Sequence, residues 1–458
     1  MRPVAPSVNV PRSFRRIAGA LTLGATLAAN GAVGEGPAPA GDAGAELAAL
    51  VAEALETNPD LAAARAEAAA ISARVRPAGS LPDPTITVAY ENDGAAPSLG
   101  SEPMTRLAFV AQQALPFPGK LGLAEKVAAA DAARAGTRPE RVALGLAGRV
   151  TRAYADLLEA REGIRLVDEQ LETWRDIEAA IRARYGAGMG TQQEILRAQG
   201  ERTRLLQQRR RDEAAEKTAV SELRRLLFRP ADAPVPTAVR LIPGAMPPVP
   251  AGETVLARAL ATTPELREAG LAKEGAKLST DLARRNLRPD FVASAGYMNR
   301  GSLPMMWSAA VGVSIPLWAG AKQRPLIVGA ESLFESASAR ELSLRRQIEA
   351  LTEERLIRIE SLAAEAKLDE EGILVQDRLS VEAALASYRT GSVPFVTVLE
   401  ALGTYFSDRR AAASRLAGLI RAEADLYEFA VDGGTRLPMA STATLSAAPA
   451  GSGMSEPR

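Results

Sequence analysis

The chain of 458 residues carries its landmarks twice, and this duplication limits its possible folds more than any other feature. Asn58-Pro59-Asp60-Leu61 has a counterpart in Thr263-Pro264-Glu265-Leu266, 205 positions on (59 to 264). Each stands between two Ala/Leu-rich helical runs. Leu81-Pro82-Asp83-Pro84, with Tyr90 eight positions past Pro82, is matched by Leu287-Arg288-Pro289-Asp290, with Tyr297 eight past Pro289. Leu115-Pro116-Phe117-Pro118-Gly119-Lys120 is matched by Ile315-Pro316-Leu317-Trp318-Ala319-Gly320. Tyr185-Gly186-Ala187-Gly188 is matched by Tyr388-Arg389-Thr390-Gly391, and the same Leu and Ala follow each (Leu196 and Ala198, Leu399 and Ala401). Landmarks in one order at nearly one spacing mean two structural repeats, residues 45–228 and 253–432. A Pro-rich irregular linker over 229–252 joins them.

Each repeat reads helix, two strands, a long helix, a turn and a further helix: mainly α with a small β part. The strands are expected over about 85–90 and 105–114, and over 291–298 and 308–317. Ile86, Val88 and Tyr90 alternate with Thr85, Thr87 and Ala89. Leu107, Phe109 and Ala111 alternate with Arg106, Ala108 and Val110. Ala309, Val311, Val313 and Ile315 alternate with Ser308, Ala310, Gly312 and Ser314. Such alternation fits a soluble sheet with one wet face, the simpler reading by itself, and equally a membrane barrel with lipid outside and a wet lumen. Gly/Pro/Ser residues 93–103 and residues 299–304 form the intervening loops, the second followed by Met305-Met306.

Two further runs, 119–185 and 320–388, have the length of very long helices, each roughly 100 Å at about 1.5 Å per residue. Val150, Leu157, Ile164 and Leu171 recur every seven residues in the first, interleaved with Ala153, Ala160, Val167, Trp174 and Ile181, a coiled-coil pattern. Pro139 is expected to kink or restart it. No Pro falls between Pro325 and Pro394 in the second. The Tyr-x-x-Gly elements then turn the chain near 185–191 and 388–394, so each repeat offers a long helical hairpin. Gly188 and Gly391 suit a turn that needs positive φ. Arg209-Arg210-Arg211 reads as an exposed helix face.

Composition narrows function. With no His and no Cys there is no disulfide, zinc finger, haem attachment or Ser-His-Asp or Cys-His nucleophile. Fifty-five basic residues against 55 acidic ones lack the excess of a nucleic-acid binder. No cofactor is expected. Residues 1–34 read as a signal peptide: Arg12, Arg15 and Arg16 precede the apolar stretch Ile17 to Ala29, and Ala32-Val33-Gly34 offers a cleavage site. The Ala/Ser/Pro/Gly-rich tail 437–458 reads as disordered. Two strands per repeat cannot stand alone, and four per chain are too few to enclose a lumen. Three copies would supply twelve, enough for a closed barrel.

These landmarks, in their order and duplication, resemble the TolC-type outer-membrane efflux duct family over residues 45–432. The stretch Leu115 to Lys120 is similar to the subgroup that serves heavy-metal cation exporters. The resemblance implies a homotrimer: a 12-stranded barrel in outer-membrane lipid of a Gram-negative bacterium and an α-helical tunnel crossing the periplasm. It implies a passive conduit, not an enzyme, worked with an inner-membrane pump and a periplasmic adaptor that docks at the hairpin tips Tyr185, Gly188, Gly391 and Val393. Positions six and nine after each tip glycine constrict the aperture in that family: here Glu194 and Arg197, and Thr397 and Glu400. By the same resemblance three copies of Glu400 ring the pore, while Glu194 and Tyr388 tie neighbouring helix pairs shut. Val393 and Thr397 depart from the family's arginine and acid, so the gating bonds differ here. Read without the resemblance, Glu194 and Glu400 are solvated helix-surface acids and the tyrosines are helix-end packing residues. The alternatives are the same duct serving drugs or type I secretion, a periplasmic coiled-coil adaptor or scaffold, and a secreted helical enzyme.

Overall fold

The computed structural model describes residues 43–100, 102–235, 241 and 251–428. The expected signal peptide, most of the linker and the C-terminal tail lie outside them. The first repeat contains α1 (Ala43–Thr57), α2 (Pro59–Ser72), α3 (Val75–Gly79), β1 (Thr85–Glu91), β2 (Arg106–Leu115), α4 (Lys120–Ala135), α5 (Arg138–Gly186) and α6 (Gln192–Leu226). The second contains α7 (Gly252–Thr262), α8 (Pro264–Arg285), β3 (Asp290–Asn299), β4 (Met306–Ser314), α9 (Gln323–Leu368), a π-helical turn (Asp369–Ile373), α10 (Leu374–Arg389) and α11 (Phe395–Tyr427).

The order is that of the duplicated sequence, with informative differences. Pro139 restarts the helix: α4 ends at Ala135, and Pro139 falls in the first turn of α5, where its missing N–H costs no bond. The second long run is also interrupted, although it holds no proline. At the π-helical turn, Asp369 is buried and ion-pairs with Arg415 of α11 at 2.5 Å. Strand β4 stops at Ser314 rather than 317, because Pro316 has no N–H to continue the ladder. Met306 opens β4, two residues before the expected start of that strand.

The chain divides into two compact units that are not the two repeats; each draws on both. One consists of Asp60–Val142 and Thr263–Ile348, and holds the sheet with α2, α3, α4 and α8. Its four strands form one antiparallel sheet in chain order, β1-β2-β3-β4. The registers Val88↔Phe109, Phe109↔Tyr297 and Tyr297↔Trp307 put Ile86, Val88, Tyr90, Leu107, Phe109, Leu115, Phe291, Tyr297, Trp307, Val311 and Val313 on one face. That apolar face is bare: Ile86, Trp307 and Val311 are 73%, 80% and 78% exposed. The other face carries Thr85, Thr87, Gln112, Ser294, Gly296, Ser308 and the cross-strand ion pair Glu91–Arg106 (2.6 Å). The outer edges of β1 and β4 pair with nothing among the described residues.

The other unit comprises the described residues within 43–59, 143–262 and 349–428. Its core joins Leu47, Leu50 and Ala54 of α1, Val150, Leu157 and Leu158 of α5, Leu223 and Leu226 of α6, and Ala417 and Ile420 of α11. Leu356, Ile359 and Ala363 of α9 pack on Leu419, Ala422 and Leu426 of α11. The expected heptad is present on α5, where Ala153, Ala160, Val167, Trp174 and Ile181 are all buried, while Ile164 and Leu171 are half-buried. A second heptad on α6 buries Ala198, Leu205, Asp212, Ala219 and Leu226. The Asn58 landmark has a capping role: Asn58 Nδ2 donates to the Leu226 carbonyl and Thr57 Oγ1 to that of Leu227, satisfying orphan groups at the end of α6.

Candidate functional site at the hairpin tips

Both hairpin turns are built by the same backbone device. In the first, Gly188 N–H donates to the Tyr185 carbonyl (3.0 Å) and Met189 N–H to that of Arg184 (2.9 Å). In the second, Gly391 donates to Tyr388 (3.0 Å) and Ser392 to Ser387 (2.9 Å). This is the Schellman helix stop, which needs a left-handed residue, and Gly188 and Gly391 have φ of 76° and 78°. The Tyr-x-x-Gly spacing is therefore a helix-end signal first.

The two tyrosines differ. Tyr185 is 48% exposed, whereas Tyr388 is 3% exposed. The Tyr388 ring lies against Phe395 (centroids 5.8 Å apart), which meets Trp174 of α5 edge-on at 6.1 Å. Arg184 covers its other side: Cζ stands 4.6 Å from the ring centroid, and Nη1 donates to the Tyr388 carbonyl at 2.6 Å. Burial, and then the nearby negative charge of Glu194, push the Tyr388 phenol above its ordinary pKa. The Tyr388 hydroxyl and Glu194 Oε2 are both buried, and neither has a hydrogen-bond partner among the described residues. The structure thus places Glu194 near Tyr388 in one subunit, with Arg184 against Tyr388.

Glu194 also has a local reason to be where it is. Thr191 caps α6, its hydroxyl accepting from Glu194 N–H (3.4 Å), so Thr191-Gln192-Gln193-Glu194 is a Thr-x-x-Glu start with an acid at the positive end of the helix. At the corresponding place in α11 stands Pro394, without a capping side chain, and Thr397 replaces the acid. Glu194 and Thr397 are half-buried, and Arg197 and Glu400 are exposed. Thr397 and Glu400, three residues apart, lie away from the buried stripe Phe395, Val398, Leu402 and Phe406. Val393 packs against that core. Neither Arg197 nor Glu400 has an ion-pair partner among the described residues.

Sequence reasoning missed Arg184. Its counterpart one residue before Tyr388 is Ser387, so the repeat does not flag it. It also missed the ion pairs between helices. Asp212 takes a two-pronged bond from Arg410 (3.0 and 2.8 Å), and Arg410 Nη2 reaches the Gly163 carbonyl at 3.4 Å. A Cβ on Gly163 would stand 3.2 Å from both partners, closer than ordinary contact. Arg209, by contrast, is not merely surface charge: Nε donates to Asp168 at 2.7 Å.

Bare apolar strands, long paired helices and tight helical tips together define a membrane-associated duct component rather than a catalytic domain. No helix among the described residues is long and apolar enough to cross a membrane. The model of the outer membrane efflux protein family matches residues 50–227 and 255–430, one match per repeat. The chain belongs to the outer membrane efflux protein family. Membership places it in the outer membrane and makes it an efflux channel protein, not an enzyme.

Among solved structures, the fold is similar to CusC (17% identity, TM-score 0.71, covering 84% of this chain and 92% of that one). It is also similar to VceC from Vibrio cholerae (18% identity, TM-score 0.71, 83% and 95% covered). The open state of the Neisseria gonorrhoeae MtrE outer membrane channel matches at 18% identity and a TM-score of 0.70, with 88% and 94% covered. At these identities the likeness concerns the fold. No curated protein matches the chain.

Proposed function

We propose that three copies of this chain form a passive duct, with a 12-stranded barrel in the outer membrane and a helical tunnel in the periplasm, serving a heavy-metal cation exporter. The observation that carries the duct is the sheet. Four strands with one bare apolar face and two unpaired edges are unstable in water as they stand. They become stable when copies close the edges and lipid covers the apolar side. On α9, Leu326 and Leu333, seven residues apart on one face, are 62% and 67% exposed, which supports packing between copies.

At the tips, Glu194 and Tyr388 act as part of the closure, with Arg184 against Tyr388, and Glu400 supplies negative charge to the aperture. Like-charged carboxylates gathered from three copies repel one another and favour cations. Thr397 and Arg197 flank them. The turns at Tyr185–Gly188 and Gly391–Val393 are what a periplasmic adaptor reaches, with an inner-membrane pump supplying energy. The heavy-metal assignment rests on the Leu115 to Lys120 motif. A strain lacking this protein, challenged separately with divalent metals, silver or copper, and organic drugs, tests it. Loss of metal resistance alone is expected; loss of drug resistance alone would assign the duct to a drug pump.

A further inference from the structure

The sheet contains one junction between the two repeats, and it is clasped. Where β2 leaves and β3 begins, Lys120 Nζ donates to Asp290 Oδ1 (2.8 Å) and to the Arg288 carbonyl (2.9 Å). Phe117 N–H donates to the same Asp290 oxygen at 2.7 Å. The strands pair here as Phe109↔Tyr297, Ala111↔Ala295 and Gln113↔Ala293. The duplication maps Asp290 onto Asp83 and Tyr297 onto Tyr90 at the start and end of β1, and Leu115 onto Ile315 past β4. Asp83 is exposed and has no ion-pair partner among the described residues; the same holds for Lys322, one residue before α9. The second exit is two residues longer than the first, running from Pro316 to Lys322 instead of from Pro116 to Lys120.

We infer that where β1 of one copy meets β4 of the next, the strands pair in a register copied from the β2–β3 junction, and Asp83 of the one takes a bond from Lys322 of the other. Applying the map to the three observed pairs gives Tyr90↔Ala309, Val88↔Val311 and Ile86↔Val313 between copies. All six of these residues lie on the bare apolar face, although the map uses only landmark positions and no information on faces. A slip of one residue would turn β4 inside out. At the mouth of this junction Lys322 of one copy donates to Asp83 of the next, completing between subunits the clasp that Lys120 and Asp290 make within one. This rests on the trimeric reading above and adds the register and the contact to it.

The chain has no cysteine, so a pair introduced by substitution is read without background. Within one copy β1 and β4 are three strand spacings apart, about 14 Å, beyond the reach of a disulfide. Full-length protein carrying Val88→Cys and Val311→Cys is oxidised in detergent and run denatured without reductant, beside a size measurement of the intact oligomer. Covalent species up to three copies are expected from the pair, and none from Ala89→Cys with Val311→Cys. Trimers that never cross-link at 88 and 311 would overturn the register while leaving the duct standing. A covalent dimer from Val88→Cys alone would overturn it in favour of β1–β1 pairing, and absence of any oligomer would remove both. For the clasp, Asp83→Lys and Lys322→Asp should each lower the temperature at which the trimer dissociates, and the double exchange should restore it. A double exchange no better than the single variants would overturn the clasp.

Discussion

Glu423 of α11 is 4% exposed, and its Oε2 has no hydrogen-bond partner among the described residues. Burial pushes its pKa up from 4.5 to about 7. Below about pH 4.5 the carboxyl is neutral in both folded and unfolded chains and costs nothing. As pH rises toward 7 the unfolded chain releases the proton while the folded one keeps it, so this group subtracts stability, on the order of 3 kcal/mol once both are ionised. Glu423→Gln is expected to flatten the pH dependence of the melting temperature between pH 4.5 and 7 and to raise it at pH 8. A variant with the parent's pH profile would show that Glu423 is solvated. The tip glycines make a second prediction. A Cβ at Gly188 or Gly391 meets no atom within 4 Å, so Gly391→Ala tests conformation alone and should cost about 1–2 kcal/mol by thermal unfolding. At this scale the sequence was informative about Gly188 and Gly391, whose spacing after tyrosine repeats. It was silent on Glu423 and Arg184, because burial and partners depend on helices distant in sequence.

Among the elements, the α5, α6 and α11 helices are joined by charge as much as by apolar packing. Asp212 occupies a heptad position on α6 where an apolar residue is the norm, and Arg410 holds it from α11. Removing one partner strands the other. Asp212→Ala is expected to cost about 3 kcal/mol, at the low end for such pairs because Arg410 keeps some solvent contact. Asp212→Leu combined with Arg410→Met should recover most of that loss, as read by denaturant unfolding of the helical signal. If the single change were as mild as an exposed-pair deletion, the pair would be peripheral. The strands and the α5 heptad were legible because period 2 and period 7 are written in local spacing. The π-helical turn at Asp369 was not, since its buried contact with Arg415 has no local sequence signature. The break at Pro139 was expected as a kink or restart, and it is a restart, with α4 ending at Ala135 and α5 beginning at Arg138.

For the whole molecule, duplication was the most legible property: one family match falls on each repeat, and each repeat contributes two strands to one sheet. The alternation of the strands left soluble and membrane readings open. Only the register could show that the bulky residues of all four strands gather on one bare face. The absence of His and Cys fits a conduit, whose wall requires no nucleophile and no tight metal ligand. The candidate aperture was legible only through resemblance; Glu194 lies near Tyr388, whereas Arg197 and Glu400 are exposed, with no ion-pair partner among the described residues.

Single-channel conductance of the purified protein in planar lipid bilayers tests the central claim, a trimeric duct held shut at its helical tips. The account predicts small, infrequent openings from the parent and clearly larger conductance from protein carrying Glu194→Ala and Glu400→Ala. Equal conductance from the two, in trimers of the same size, would contradict it.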